Sequence, residues 1–522
     1  MALEKSKSIE AGLQIMVSDE TKDVKLMTQL SSQKTFCQKL KVIFTNITVE
    51  PIMMCYILPS VMSVIATQNL NLEKACRVNL QLDIDTCDAL TAKNESFVGY
   101  KIAERQVQQL VTNRAMYKNV LQSLFPTVLL LFLGSWSDRQ KRRKPCIIIP
   151  IIGEICMCLG LLISTYFFFE LPIEFNVLVE SLPAITGGWV CMFMGVFSYI
   201  STITSKETRT LRIGAVNMFS NVSIGIGIAL SGVSFKFTGF YGVYVLGLIM
   251  YIIGLIYGIF FVNDITKTEQ DVKQEGSNRK YKNSLLDFFD VRYVKETFKV
   301  VFKKGERNRR LRICLIMILA MFIIGPIHGE MNVVYLFGRY KFGWDSIGYS
   351  IFSTVQFVTH IFGTLFSLMV FTKFLQVDDA ILGIISSTSK ILASIVYAFA
   401  PTIEYLYLGA FVEILNGTSF IALRSLISKL VPPNELGKVN SLFGVCEAII
   451  PLVYGPLYSF LYSKTMNSLP GAFFLAGGIL TIPAVLIFFW LYVENTKDKK
   501  EIKLAESSKL MKDYTKSDEE NK

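Results

Sequence analysis

The chain is short of charge, of histidine and of any long polar block. Only 18% of its 522 residues are Asp, Glu, Lys or Arg, against 52% hydrophobic residues and a mean hydropathy of +0.43. Soluble domains carry roughly a quarter charged residues, so a water-soluble globule is excluded. Two histidines, with no phosphate-cradling loop and no nucleophile motif, leave little material for acid–base or metal chemistry. No enzyme, no cofactor and no metal are therefore expected. The ten cysteines follow no metal-ligand spacing and mostly stand in apolar runs, which argues against a zinc module or a disulfide scaffold. The net charge of +11 does not by itself signal nucleic acid, because in a membrane protein positive residues are expected in the cytoplasmic connections.

What the chain has in abundance is apolar runs of spanning length. A helix needs about 20 mostly apolar residues to cross the hydrocarbon, where no backbone group can go unpaired. About twelve such runs are legible, at 49–69, 115–134, 146–169, 177–203, 213–235, 240–262, 313–336, 347–372, 380–400, 404–428, 439–463 and 471–492. The first is interrupted by Pro51, Pro59, Ser60, Ser63, Thr67 and Gln68. That composition suits a face turned toward a water-filled cavity.

Charge sets the orientation. Arg139, Lys141, Arg142, Arg143 and Lys144 follow the second run, and Lys206, Arg209 and Arg212 follow the fourth. Lys429 and Lys438 separate the tenth and eleventh, whereas residues 170–176 and 401–405 hold no Lys or Arg. The asymmetry predicts that both termini are cytoplasmic. Residues 1–48 read as a cytoplasmic tail without a signal peptide, 49–262 as a six-helix half and 263–312 as a basic cytoplasmic linker. Residues 313–492 read as a second six-helix half and 493–522 as a cytoplasmic tail. The loop 70–112 lies outside. It carries Cys76 and Cys87, candidates for a disulfide, and the glycosylation acceptor Asn94-Glu95-Ser96. Two free thiols and an unused acceptor fit the sequence equally.

Between the second and third runs stands Gly134-Ser135-Trp136-Ser137-Asp138-Arg139-Gln140-Lys141-Arg142-Arg143. Gly134 permits close helix packing, Asp138 accepts charge-assisted hydrogen bonds, and Arg139, Arg142 and Arg143 hold the loop at the cytoplasmic face. With six runs, a charged linker and six more runs, this resembles the major facilitator superfamily, although Lys141 replaces that motif's second Gly. The resemblance narrows to the proton-coupled folate transporter family (solute carrier family 46). It is carried by Thr208-Arg209-Thr210-Leu211-Arg212, Trp344-Asp345-Ser346-Ile347-Gly348-Tyr349, the stretch Leu423-Arg424 to Val431, Gly471-Ala472-Phe473-Phe474-Leu475 and Ile482-Pro483-Ala484. It implies an all-α membrane protein with twelve transmembrane helices in two pseudo-symmetric halves, importing small organic anions such as folates or peptidoglycan fragments. It makes Asp138 and Arg142 parts of an inner gate and puts Tyr349 and Arg424 at the substrate cavity. Two positions depart from the family: Asn217 and Thr202 stand where it has carboxylates.

Charges inside apolar runs must be paired or wet, which makes each a functional candidate. Glu413 and Arg424 share one face of the tenth span at about 100° per residue, and snorkelling to the interface is the bland reading of Arg424. Glu447 lies too deep for that. Glu330 and His328, in a stretch loosened by Gly325-Pro326 and Gly329, and His360, beyond Gln356 and Tyr349, are the further proton-coupling candidates. A fixed salt bridge, for example Glu330 with Lys390, is the competing reading. Asn217 and Glu413 join Arg424 and Tyr349 as substrate-binding candidates. The partners expected are an anionic small molecule, protons and the bilayer. Facilitated diffusion without protons, and a receptor that has lost transport, remain open alternatives. The plasma membrane is the expected location, with an endolysosomal membrane as the alternative suggested by the dileucine-like Glu506–Met511.

Overall fold

The computed structural model describes residues 48–140, 143–203, 209–262, 308–431 and 436–520. An apolar chain deprived of water satisfies its backbone internally, and among the described residues it does so entirely with helices. In chain order these are α1 (Glu50–Lys74), α2 (Ile84–Ala92), α3 (Tyr100–Gln140), α4 (Lys144–Tyr166) and α5 (Ile173–Glu180). There follow α6 (Leu182–Ile185), α7 (Gly188–Ile203), α8 (Arg209–Phe261), α9 (Arg309–Phe342) and α10 (Ser346–Ser367). The last five are α11 (Asp379–Phe399), α12 (Ile403–Val412), α13 (Gly417–Leu430), α14 (Leu436–Thr465) and α15 (Ala472–Glu520).

Ten stretches among the described residues are long and apolar enough to cross a membrane. One of them, Arg212–Phe261, has 50 residues, about double the crossing length. It turns at Gly239, whose φ of +64° is costly for any residue with a Cβ. The sequence runs 213–235 and 240–262 are its two arms. The run 115–134 lies in α3, which is not among the ten.

Helix ends follow local chemistry. The Asp345 carboxylate accepts from the Gly348 amide at 2.6 Å and starts α10, and Asp378 accepts from Ala380 at 3.1 Å and starts α11. Gly343, at φ +63°, closes α9.

Two expected single helices are broken. The run 177–203 forms α5, α6 and α7, with Gly187 (φ +98°) and Gly188 (φ +54°) at the last junction. The run 404–428 stops at Val412 and restarts at Gly417. Its break frees backbone carbonyls, and α11 supplies the donors. The Ser389 hydroxyl donates to Val412 O at 2.5 Å, and the Ser386 hydroxyl donates to Leu415 O and Asn416 O at 2.7 and 2.8 Å. Irregular backbone survives at membrane depth only when so satisfied.

Four apolar cores hold the described helices; the smallest joins α1, α4, α5 and α8 through Leu70, Leu161, Val179 and Tyr244, and three are larger. One joins α1, α4, α7 and α8 through Ile52, Tyr56, Ile151, Val196 and Tyr251. A second joins α9, α13, α14 and α15 through Ile316, Leu319, Leu423, Phe443 and Phe488. The third contains residues of both halves, including Ile65, Leu72, Tyr335, Trp344 and Tyr458, and lies beside the loop that holds Cys76 and Cys87. Those two cysteines are joined in a disulfide. Between the halves, α14 runs along α3 and α10 along α8. Phe260, Phe362 and Leu486 are exposed on the outside of the bundle, where lipid rather than water is the suitable solvent.

Of the gate motif, Lys141 and Arg142 lie outside the described residues, and only the helical backbone is described for Gly134, Asp138 and Arg139. Arg143 is the N-cap residue of α4. Thr202 ends the fourth run with its backbone alone described, and the linker up to 307 lies outside the described residues.

Candidate functional site

A cavity of about 540 Å³ opens between the two sets of helices. Residues of α1 (Ser60, Val61, Val64, Ile65), α7 (Trp189) and α8 (Asn221, Ile224, Ile228, Ser231) form one wall. The other comes from α9 (Glu330, Met331, Val334), α10 (Tyr349, Phe352, Gln356, Phe357, His360), α11 (Lys390, Tyr397), the α12–α13 break (Glu413, Asn416) and Phe474 of α15. The lining is mostly apolar and aromatic. Its charge is concentrated on one side.

That charge is a buried cluster around Lys390. Its ammonium donates to Glu330 Oε2 at 2.7 Å and to Glu413 Oε1 at 2.9 Å. Tyr397 and Asn416 each donate to Glu413 at 3.0 Å, and Gln356 donates to it at 3.4 Å. Lys390 is 3% exposed and both carboxylates are buried. A buried ammonium needs such partners, and removing one leaves an uncompensated charge. Two carboxylates share a single ammonium, so with both ionised the cluster carries one net negative charge. The geometry has a local cause: the break at 413–416 turns Glu413 off the helix and toward α11, while Glu330 sits beside Gly329, whose lack of a side chain lets the Tyr458 ring pack against α9.

The sequence candidates scatter. Tyr349, Glu330, His360 and Glu413 all line the cavity. Arg424 does not line it. Both Glu447 carboxylate oxygens accept from its guanidinium at 2.9 Å, which also stacks 4.2 Å over the Phe443 ring. The helical period put Arg424 on the face of Glu413, but the break between α12 and α13 resets that period. Asn217 is exposed one turn before Asn221 and is likewise outside the lining; so is His328, exposed on α9. Lys390, the centre of the cluster, was not among the candidates except as a partner for Glu330. Its signal was its standing as the one Lys within the run 380–400.

The two halves meet through polar contacts next to the disulfide. Arg339 of α9 and Glu104 of α3 form a buried ion pair at 2.7 Å. Arg339 also donates to the Leu90 carbonyl of α2 at 2.9 Å, which ties in the disulfide-held loop. Tyr335 donates to Asn69 of α1 at 2.9 Å, and Tyr462 of α14 donates to Gln108 of α3 at 2.9 Å. The Gly232 amide of α8 donates to the Ser350 hydroxyl of α10 at 2.8 Å. Asn94 is exposed in the same loop.

The family model described as Major Facilitator Superfamily matches residues 116–450 and again 380–516. The chain belongs to the Major Facilitator Superfamily. As a facilitator it is a multi-pass membrane transporter and not an enzyme, and its sequence resembles solute carrier family 46. It is 25% identical over 392 residues to the proton-coupled folate transporter of Rattus norvegicus, covering 73% of this chain and 80% of the relative. It is 23% identical over 411 residues to a probable peptidoglycan muropeptide transporter of Drosophila melanogaster, covering 77% of this chain and 76% of that one. A lysosomal proton-coupled steroid conjugate and bile acid symporter of Gallus gallus is 22% identical over 404 residues, covering 76% and 83%. Among solved structures, the human organic anion transporter MFSD10 superposes with a TM-score of 0.56 at 13% identity over 87% of this chain and all of that one. The inward-open xylose transporter XylE gives 0.52 at 14% identity over 86% and 95%. These structural likenesses establish the fold.

Proposed function

We propose that this facilitator carries a small organic anion together with protons by alternating access. The observation that supports it best is Lys390 held between Glu330 and Glu413 on the cavity wall. An incoming carboxylate or sulfate takes Lys390 only when a proton replaces the ammonium on one of the two acids. One proton per monoanion leaves the net charge of the cluster unchanged, which is what coupling in a low-dielectric site requires. Glu330 and Glu413 are the proton carriers in this reading, and His360 lies beside them on the same wall. Arg424 and Glu447 act as a structural pair. The apolar lining suits an amphipathic conjugate, in the range spanned by relatives named for folate, muropeptides and steroid conjugates.

Counting α3 and both arms of α8 as crossings gives twelve, with residues 49–262 and 313–492 as rocking halves. Residues 1–48, 263–312 and 493–522 are cytoplasmic in this reading, and 70–112, with Asn94 glycosylated, is external. Gly134, Asp138, Arg139, Arg142 and Arg143 close the cytoplasmic side, and the Glu104–Arg339 pair closes the external side. The plasma membrane is the location proposed.

Uptake of labelled folate, muropeptide and sulfated steroid into proteoliposomes under an imposed pH gradient tests this. Accumulation above equilibrium is expected for at least one anion, and its loss in E330Q or E413Q ties coupling to the cluster. Mere equilibration would make the chain a uniporter, and saturable binding with no flux would make it a receptor.

A further inference from the structure

We propose that Glu154 is a second proton-carrying carboxyl, housed in the N-terminal half and screened from the central cavity by Trp189. The proposal deepens the proton-coupled reading above and rests on it. Seven acidic side chains are buried among the described residues. Six have a cation partner: Glu50 has Arg212, Glu104 has Arg339, Glu180 has Lys118, Asp379 has Lys429, and Glu330 and Glu413 share Lys390.

Glu154, 3% exposed in α4, is the exception. Phenols and thiols surround it instead. Tyr251 of α8 donates to its Oε2 at 3.1 Å. Tyr56 of α1, Cys158 of α4 and, behind Tyr56, Cys191 of α7 are the other titratable groups there. Charged groups on the packed elements are engaged elsewhere: Glu50 of α1 with Arg212 of α8, Glu180 and Glu174 of α5 with Lys118 and Arg114, Lys74 of α1 with the Phe168 and Leu171 carbonyls, and Lys144 of α4 with the Ile259 carbonyl. α6 has no titratable side chain. A carboxylate without a counter-ion cannot be held in such a place, so charge balance gives Glu154 a proton.

The surroundings provide a route for that proton to leave. Tyr56 has its ring 6.2 Å from Tyr251 and 6.3 Å from Trp189. Trp189 lines the cavity and donates its indole N–H to the Ser60 hydroxyl at 3.2 Å. Two aromatic side chains, Tyr56 and then Trp189, therefore separate the buried acid from the cavity. Trp189 is mounted directly after Gly187 and Gly188, at φ +98° and +54°. Rotation about this two-glycine hinge tilts the first turn of α7 and carries the indole with it, which opens Tyr56 and Glu154 to cavity water. A buried acid serving only as a fixed hydrogen-bond partner needs no such door.

The test is infrared spectroscopy of the full chain in lipid nanodiscs, which requires no substrate. Spectra recorded across a pH series are compared for wild type, E154Q, E154D, E330Q and W189A. Wild type is expected to show a protonated-carboxyl C=O band that falls reversibly as pH rises. The band is lost in E154Q and shifted in E154D, and its deuterium shift develops faster in W189A. If E154Q fails to fold, the frequency shift in E154D makes the assignment. A Glu154 band independent of pH, or its complete absence, overturns the proposal. A titrating band lost in E330Q but kept in E154Q overturns it while leaving the cluster around Lys390 as the coupling site. No titrating carboxyl at either place overturns both readings.

Discussion

The two broken helices, α5–α7 and α12–α13, sit at corresponding places in the two halves and serve opposite chemistry. In the C-terminal half the break releases Glu413 toward Lys390 of the preceding helix, producing a charged cluster that faces the cavity. In the N-terminal half the break presents Trp189, and the acid on the preceding helix, Glu154, stays behind aromatic side chains with no cation partner among the described residues. Paired interruptions of apolar helices at matching positions are where transporters of this architecture place ligand and ion sites. A break therefore says where a site is, and its neighbours decide what kind. Here a lysine one helix away makes the difference.

The largest test of that contrast is Lys390→Ala. It strands two buried carboxylates and should destabilise the chain by about 3–5 kcal/mol, read as a drop in melting temperature in detergent. Adding E330Q and E413Q should restore part of the loss. The same truncation of Glu154 should cost far less, because no charge loses its partner. If K390A melts like wild type, the asymmetry between the halves is wrong.

Next in size is Arg339→Gln, which removes the pair joining the halves beside the disulfide. Truncating one member of a buried hydrogen-bonded charge pair costs about 2–5 kcal/mol. Here the cost falls on the closed arrangement alone. Cysteine reporters near Asn69 should become several-fold more reactive to an impermeant maleimide added from outside, without a matching fall in expression.

Gly187→Ala tests the hinge itself. A left-handed backbone costs a residue with a Cβ roughly 1–2 kcal/mol, and here the new methyl also meets the Cys191 side chain. Thermal stability should fall by that order. Gly214→Ala in α8, which has open space around it, is the matched control and should leave the melting temperature unchanged.

The smallest effect concerns Lys93, in the disulfide-held loop. Its ammonium is buried without a hydrogen-bond partner. Burial, then the nearby Arg339 guanidinium, lowers its pKa to about 8, partly opposed by Asp345 and Glu104. An unfolded lysine titrates near about 10.4. Between these values the unfolded loop binds a proton that the folded loop lacks, so stability rises with pH through that window and the penalty is full below about 8. Hydrogen exchange of α2 should slow as pH is raised through the window, after correction for the intrinsic rate. K93M should flatten that dependence.

Much of this is legible in the amino-acid sequence. Apolar run length, the charge asymmetry of short loops and the Gly134–Arg143 spacing point to one architecture. Glu330, Glu413 and His360 announce themselves as polar residues in apolar runs, the family resemblance points to Tyr349, and all four line the cavity. Asn217, placed only by the spacing of the family motif, does not, and nor does Arg424, for a definite reason. Helical periodicity predicts a shared face only while the helix is continuous, and the four residues from Glu413 to Asn416 are not helical. Trp189 escaped notice, and Lys390 entered only as a fixed partner for Glu330, because their importance comes from what they touch: one aromatic among many, and one lysine whose partners are 60 and 23 residues away.

By itself the amino-acid order determined that this chain lies in a bilayer as a helical bundle of facilitator type, because continuous apolar runs of about 20 residues fit the hydrocarbon as helices that pair their own backbone groups. It also determined which buried positions carry charge. Only the tertiary structure decided which charges meet. Three-body pairing of Lys390 with Glu330 and Glu413, the solitary Glu154 and the bridge from Arg339 to Glu104 all depend on where separate helices cross. Crossing geometry is set by packed side chains and broken turns, and no local pattern along the chain records it.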